Sequence, residues 1–333
     1  MTITSAPRRS DEAVLRSCLD EIVAGHAANV RGPIAAVERK RSAFSSFYAS
    51  DVITIRLAGG DEIKVFLKDF GSYDHPKDAL VERRERELAV YRDLLARAGL
   101  GTPAYFGSAW DESEGRYWLF LEYVEGEPVK HHDFEYWVPP AAWLGRMQGY
   151  FAKHADLWAD CPSLVRHDAA FFHATAEQAL RSVGHFSAAH ARRLGPVVRD
   201  YDAAVRMMAA QPKTLVHGTY RPAQIIVDET CQPTRYCPVD WEKAAVGSGL
   251  YDLTFLADGF VPPRLNRILD TYLEAAASHG AAVCGIDEMT RVMDCIRLHR
   301  VMNWLSLAHD RKFPEREVVK LLDRAEEVGR LVL

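Results

Sequence analysis

"LVHGTYRPAQIIVD", residues 215–228, and the "RYCPVDWE" that follows at 235–242 form a β-like island in a half of the chain that otherwise reads as helix. The island spans 214–240 in three short runs, "TLVHG", "QIIVD" and "RYCPVD". Polar residues bound each run: "HGTYRPAQ" precedes "IIVD", and "DWE" follows "CPV". A carboxylate ending a short apolar strand is costly unless a cation or hydrogen-bond donors meet it, so Asp240 implies a partner elsewhere. Asp240 with the amide oxygen of Gln224, assisted by Glu242, would suit a magnesium ion. Such an ion takes one or two carboxylates and completes its shell with water and phosphate. Taken singly, each of the three also reads as an ordinary loop residue.

Helical segments surround the island. "AAWLGRMQGYFAKHADLWAD", "DEMTRVMDCIRLHRVMNWLSLAHD" and "REVVKLLDRAEEVGRLV" are amphipathic. Nearer the N-terminus the pattern changes. "DVITIRL" alternates, "AGGDE" supplies hairpin glycines, and "IKVFLKDF" is the partner strand. "ERRERELAVYRDLLARAGL" then has Leu88, Tyr91, Leu94 and Leu95 at helical spacing, with Gly99 as its expected cap. "TPAYFGSAW" and "RYWLFLEYVEG" read as two more strands. A first helix carries Val14, Leu15, Cys18, Leu19, Ile22 and Val23 on one face. The expected class is α+β: a helical extension over 1–33, a small, mainly antiparallel sheet lobe over 34–130, and a larger helical lobe over 131–333.

In "KVFLKDF", strand alternation puts Lys68 on one face with Phe66 and Phe70. A lysine beside two aromatics either snorkels at the surface or lines a site. The helix after it offers Glu82, Glu85 and Glu87 as counter-charges, although a run such as "ERRERE" is normally a solvated face.

The bulk properties exclude several classes. The chain has 333 residues, 48% hydrophobic and 26% charged, with a net charge of −5. That balance gives no electrostatic case for nucleic acid as a partner. No apolar run approaches a membrane span, and "MTITSAPRRSDEAVLRS" lacks the apolar core of a secretory signal. The six cysteines have no CxxC spacing and read as free thiols in a reducing cytosol. A cytoplasmic protein with no membrane partner is expected.

The order is strand lysine, helix glutamate, H-G-x5-Q, then Asp240 sixteen residues beyond Gln224, and finally "AAVGSGLYDL". This order resembles the aminoglycoside phosphotransferase and choline kinase-like family, relatives of the protein kinases, over roughly residues 35–310. The resemblance implies a bilobal kinase-like fold that uses ATP and Mg2+. It implies that Lys68 contacts the phosphates, Glu87 holds Lys68, and Asp240 and Gln224 bind metal. Asp252 braces the catalytic loop, and the backbone from Glu122 lies against adenine. The turn "SAFSSFYAS" covers the phosphates, with Ser45 and Ser46 as hydroxyl donors where the family more often has a flexible backbone.

The departures are at Thr219, where active relatives carry an aspartate, and at Gln224, where they carry an asparagine. A threonine hydroxyl is no useful base near neutral pH, and a positioned acid–base group is usually worth about 10²–10⁴ in rate. Phosphoryl transfer draws much of its acceleration from positioning and charge, so the loss need not be fatal. Glu242 is a candidate to take the proton instead. Arg221 is a candidate to clamp an anionic substrate or spread charge on the phosphoryl group. Two readings follow: a phosphotransferase acting on a hydroxyl of a small molecule or peptide, or a pseudokinase that binds nucleotide or scaffolds a protein partner.

Overall fold

The computed structural model describes residues 9–26, 32–42, 47–73, 78–282 and 284–333. They fall into two compact units, one of residues 1–127 with 226–242, the other of 128–225 with 243–333.

The first unit is built on a five-stranded antiparallel sheet. Its strands are β1 (Ile34–Arg41), β2 (Tyr48–Leu57), β3 (Glu62–Tyr73), β4 (Tyr105–Asp111) and β5 (Arg116–Glu122), in spatial order β1-β2-β3-β5-β4. Alternation along β2 and β3 buries Ile53, Ile55, Val65 and Leu67 completely, with Trp118 and Phe120 of β5 beside them. Helix α1 (Arg9–Gly25) closes this core with Leu19 and Ile22, while Val14, Leu15, Cys18 and Val23 pack at its margin. Arg116 pairs with Asp11 at 2.9 Å and fixes the start of that helix. After β3 comes α2 (Leu80–Ala89), continued by a wider π-helical turn over Val90–Leu95. Gly99 does not cap it: the helical turns end at Leu95, and Gly99 takes its left-handed φ of 61° four residues later.

Residues 226–242, read from sequence as part of the helical lobe, instead pack with the sheet. The cause is a set of contacts that no local pattern announces. Arg235 reaches Glu122 at 3.2 Å and Asp228 at 2.9 Å, and the Cys237 thiol lies 2.8 Å from the Gly101 carbonyl oxygen.

The second unit is helical. Its helices are α3 (Val138–Lys153), α4 (Ala169–Gly184), α5 (Ala188–Asp200), α6 (Asp202–Ala209), α7 (Leu250–Leu256), α8 (Arg264–Ser278), α9 (Ile286–Ser306) and α10 (Glu315–Val332). Helix α9 buries Met289, Val292, Met293, Ile296, Leu298, Met302 and Leu305, because it packs against α4, α6, α7 and α10. Helix α10 is amphipathic in the ordinary way, with Val318, Leu322, Ala325 and Val328 inward. Gly145 lets α3 approach α8: a Cβ there would stand 2.7 Å from the Ala276 nitrogen. A small sheet sits among the helices. Its central strand Ala245–Ser248 runs antiparallel to Lys213–Val216 and parallel to Val165–Arg166. The glycine-bearing "AVGS" of that strand carries no β signature in sequence.

Candidate active site

Lys68 is buried, and its ammonium is held on two sides. Its Nζ donates to both Glu87 oxygens, at 2.8 and 2.7 Å, and to Asp240 Oδ1 at 2.9 Å. The rings of Tyr48 and Phe70 lie 5.3 and 5.2 Å from the same nitrogen. Burial alone would push this ammonium down, but Asp240, Glu87 and Glu242 together outweigh it and hold its pKa well above the ordinary value. Lys68 is therefore a fixed cation across the physiological range. Burial pushes the Glu87 carboxyl above its usual range, with Lys68 opposing.

The helix that presents Glu87 differs from expectation. Of "ERRERE", Glu82 and Glu85 face solvent, while Arg83, Arg84, Arg86 and Glu87 are buried. Each guanidinium has found a distant partner. Arg83 pairs with Glu242 at 3.1 Å and also with Asp78, and Arg86 donates to the Glu242 carbonyl oxygen at 2.7 Å. Arg84 lies 3.4 Å over the Tyr117 ring. Arg83, Arg86 and Glu87 stand at i, i+3 and i+4 on one helix face, the one sequence signal that could have marked them as a group.

Asp240 sits in the left-handed region at φ 69°, which aspartate tolerates better than most residues. The carboxylate oxygens of Glu87, Asp240 and Glu242 come within 4.8 Å of one another. Both Glu87 oxygens are on Lys68, and a Glu242 oxygen is on Arg83. Asp240 is the most open of the three, its side chain about a third exposed against 1% and 8%. That single accessible carboxylate fits a magnesium ion that completes its shell with phosphate and water. Glu242, buried and paired to a guanidinium, is anchored rather than poised. The Glu122 carboxylate is occupied by Arg235, and its N–H donates to the Ala104 carbonyl at 2.9 Å. Ser45 and Ser46 lie outside the described residues.

The "HGTYRPAQ" loop belongs to the helical unit and is shaped by Asp252 of α7. This carboxylate, fully buried, accepts the N–H groups of His217 at 2.6 Å and Gly218 at 2.9 Å. Burial pushes it up to about 7, against the pull of those donors and the Tyr220 N–H. Gly218 has φ 81°, and a Cβ there would meet the Lys243 carbonyl. Thr219 follows, its N–H donating to His217 Nδ1 at 3.3 Å. Tyr220 turns wholly into the core: its hydroxyl donates to the Pro140 carbonyl at 3.0 Å, and its ring stacks on Trp143. The Arg221 N–H donates to the Thr219 carbonyl at 2.6 Å, and its guanidinium lies over Phe255. Gln224 ends a 3-10 turn, its N–H bonded to the Arg221 carbonyl at 2.8 Å.

Comparison with solved structures finds the same fold in phosphotransferases. The macrolide 2'-phosphotransferase of Brachybacterium faecium superposes with a TM-score of 0.58 at 18% identity, covering 92% of this chain and 98% of that one. The choline kinase of Cryptosporidium parvum gives 0.62 at 13% identity, covering 96% and 95%. The GDP complex of aminoglycoside 2'-phosphotransferase-IIIa gives 0.53 at 13% identity, covering 96% and 99%. No curated protein sequence matches the chain significantly. The family model of the phosphotransferase enzyme family matches residues 46–286, most of the chain. The chain belongs to the phosphotransferase enzyme family.

Proposed function

We propose that the chain transfers the γ-phosphoryl group of ATP, with Mg2+, to a hydroxyl of a small organic acceptor. The observation that carries this reading is the buried Lys68 ammonium, bound to Glu87 at 2.7 Å and to Asp240 at 2.9 Å. A cation fixed by two carboxylates keeps its position while phosphate oxygens exchange around it, so its charge needs no reorganisation during transfer. In this reading Lys68 binds the phosphates and Glu87 holds its orientation. Asp240 would hold the metal. Bound Mg2+ neutralises charge on the phosphate oxygens. The backbone from Glu122 onward receives the base. The GDP complex of a structural neighbour supports nucleotide use. The macrolide, aminoglycoside and choline named for the neighbours support a small acceptor rather than a peptide. The comparisons lend no support to a scaffold without catalysis.

Thr219 orients the acceptor hydroxyl by accepting or donating one hydrogen bond and removes no proton. The acceptor oxygen forms the new P–O bond as the bond to the β-phosphate oxygen breaks, ADP leaving with that electron pair. The hydroxyl proton passes to water after bond formation, as a loose transition state allows. The test is thermal melting with ATP and Mg2+, followed by phosphorus NMR with hydroxylated acceptors. We expect a rise in Tm that requires both ligands and a loss of transfer of at least about 10²-fold in Asp240→Asn. A Tm indifferent to ATP–Mg2+ would sink the reading.

A further inference from the structure

Arg221 carries a half-buried guanidinium that, among the described residues, makes no hydrogen bond and no ion pair. It shares the ring of Phe255 with a second guanidinium: Arg221 Cζ lies 5.2 Å from the ring centroid and Arg300 Cζ 4.1 Å. Arg300, from α9, is partly committed. One Nη donates to Asp258 at 2.9 Å, the other reaches the Thr254 carbonyl only at 3.5 Å, and its buried Nε has no acceptor. The two cations thus share one carboxylate, and that carboxylate is on Arg300. Burial and the repulsion of Arg300 both push the Arg221 pKa down, Asp258 opposing. Two half-buried like charges on one ring are unfavourable as they stand, and a bound anion would offset both the desolvation and the repulsion. Guanidinium forks match carboxylate and phosphate in geometry. The pair also stands at the reaction loop, since the Arg221 N–H is bonded to the Thr219 carbonyl.

We infer that Arg221 and Arg300 form an acceptor subsite for an anion, so that the hydroxyl substrate carries a carboxylate or phosphate group. This rests on the phosphotransferase reading for the word acceptor, but the anion site itself does not depend on nucleotide. Charge on the ligand therefore separates this protein from one built for a polycation.

The test uses the full chain without nucleotide, with glycerol 3-phosphate as probe and glycerol as its neutral counterpart, by isothermal titration. The phosphate ester is expected to bind and glycerol not. Affinity should fall at least ten-fold in Arg221→Gln and in Arg300→Gln, and less in Arg221→Lys and Arg300→Lys, which keep the charge but lose the planar fork. Binding should persist when ATP–Mg2+ is present. Equal affinity of wild type and both Gln variants overturns the proposal, as does the absence of any binding. Complete competition by ATP–Mg2+ overturns it too, since the pair would then be reading a nucleotide phosphate. If the probe binds as expected and ATP does not bind at all, the nucleotide reading falls and the anion site stands.

Discussion

Lys68 Nζ and Asp240 Oδ1 lie 2.9 Å apart although 172 residues separate them in the chain. Glu87 completes the contact from α2, almost fully buried. Three elements distant in sequence converge on one nitrogen, and the phosphate-binding role proposed for Lys68 rests on that convergence.

Lys68→Met removes the cation and leaves Glu87 buried without it. A buried ion pair broken on one side typically costs about 3–5 kcal/mol, unless a proton takes the place of the lost charge. Burial already raises Glu87, and Lys68 is the group that opposes the rise, so the variant raises it further. A carboxyl with a raised folded pKa contributes stability that is present at low pH and lost as pH rises through that pKa. The variant should therefore melt close to wild type at pH 6 and well below it at pH 8.5. Its ATP-dependent Tm rise should vanish at both. A gap between the two melting curves that stays constant across this range would contradict the account.

Thr219→Asp places a carboxylate at the position where the sequence resemblance leads to the expectation of an aspartate. The new carboxylate would lie beside His217 Nδ1, which now faces the Thr219 hydroxyl at 3.5 Å. We expect turnover with a hydroxyl acceptor to rise at least about ten-fold, within the usual worth of a positioned base. The gain should disappear below the pKa of the introduced group. A fall in turnover would mean that Thr219 itself holds the acceptor in a way an aspartate cannot.

Asp252→Asn keeps one acceptor oxygen but turns an amide donor toward one of the two N–H groups now bonded to the carboxylate. The unsatisfied donor should cost about 1–3 kcal/mol and loosen the loop that carries Thr219. Hydrogen exchange at the His217 and Gly218 amides is the direct readout. Protection factors unchanged from wild type would remove the bracing role.

His299 gives the helical unit an acid limit. Burial pushes its imidazole down to about 3, with Tyr201 Oη 3.1 Å from Nδ1 and Phe171 and Phe172 around the ring. The unfolded chain binds this proton near pH 6.5 and the folded chain does not, so stability rises with pH between about 3 and 6.5. On acidification, up to about 1.4 kcal/mol is lost per pH unit across that window. His299→Gln should flatten the slope of Tm against pH between 6.5 and 4, whatever it does to the absolute value.

The sheet was legible because its pattern is local. Alternation in "DVITIRL" and "IKVFLKDF" put Ile53, Ile55, Val65 and Leu67 inward and Lys68 on the aromatic face. The "VDWE" and "YDL" segments kept their polar residues at strand and helix ends, where sequence alone shows them. What escaped were interactions whose second half is remote. Nothing near "ERRERE" says that Glu242, more than 150 residues away, will draw Arg83 and Arg86 inward. The strand Ala245–Ser248 is held by its neighbours on both sides, not by its own β propensity. Arg300 reads as one charge on an amphipathic helix, and nothing in sequence says that it will share the Phe255 ring with Arg221.

Residues 226–242 sit with the sheet although more than ninety residues of the helical unit come between them and its last strand. The N-terminal unit is therefore discontinuous, and a fragment cut at residue 127 would carry Lys68 and Glu87 but lack Asp240. During synthesis, that unit has no complete set of contacts until Glu242 has left the ribosome, by which time much of the other unit is already made. Folding of the sheet unit cannot be completed before that point.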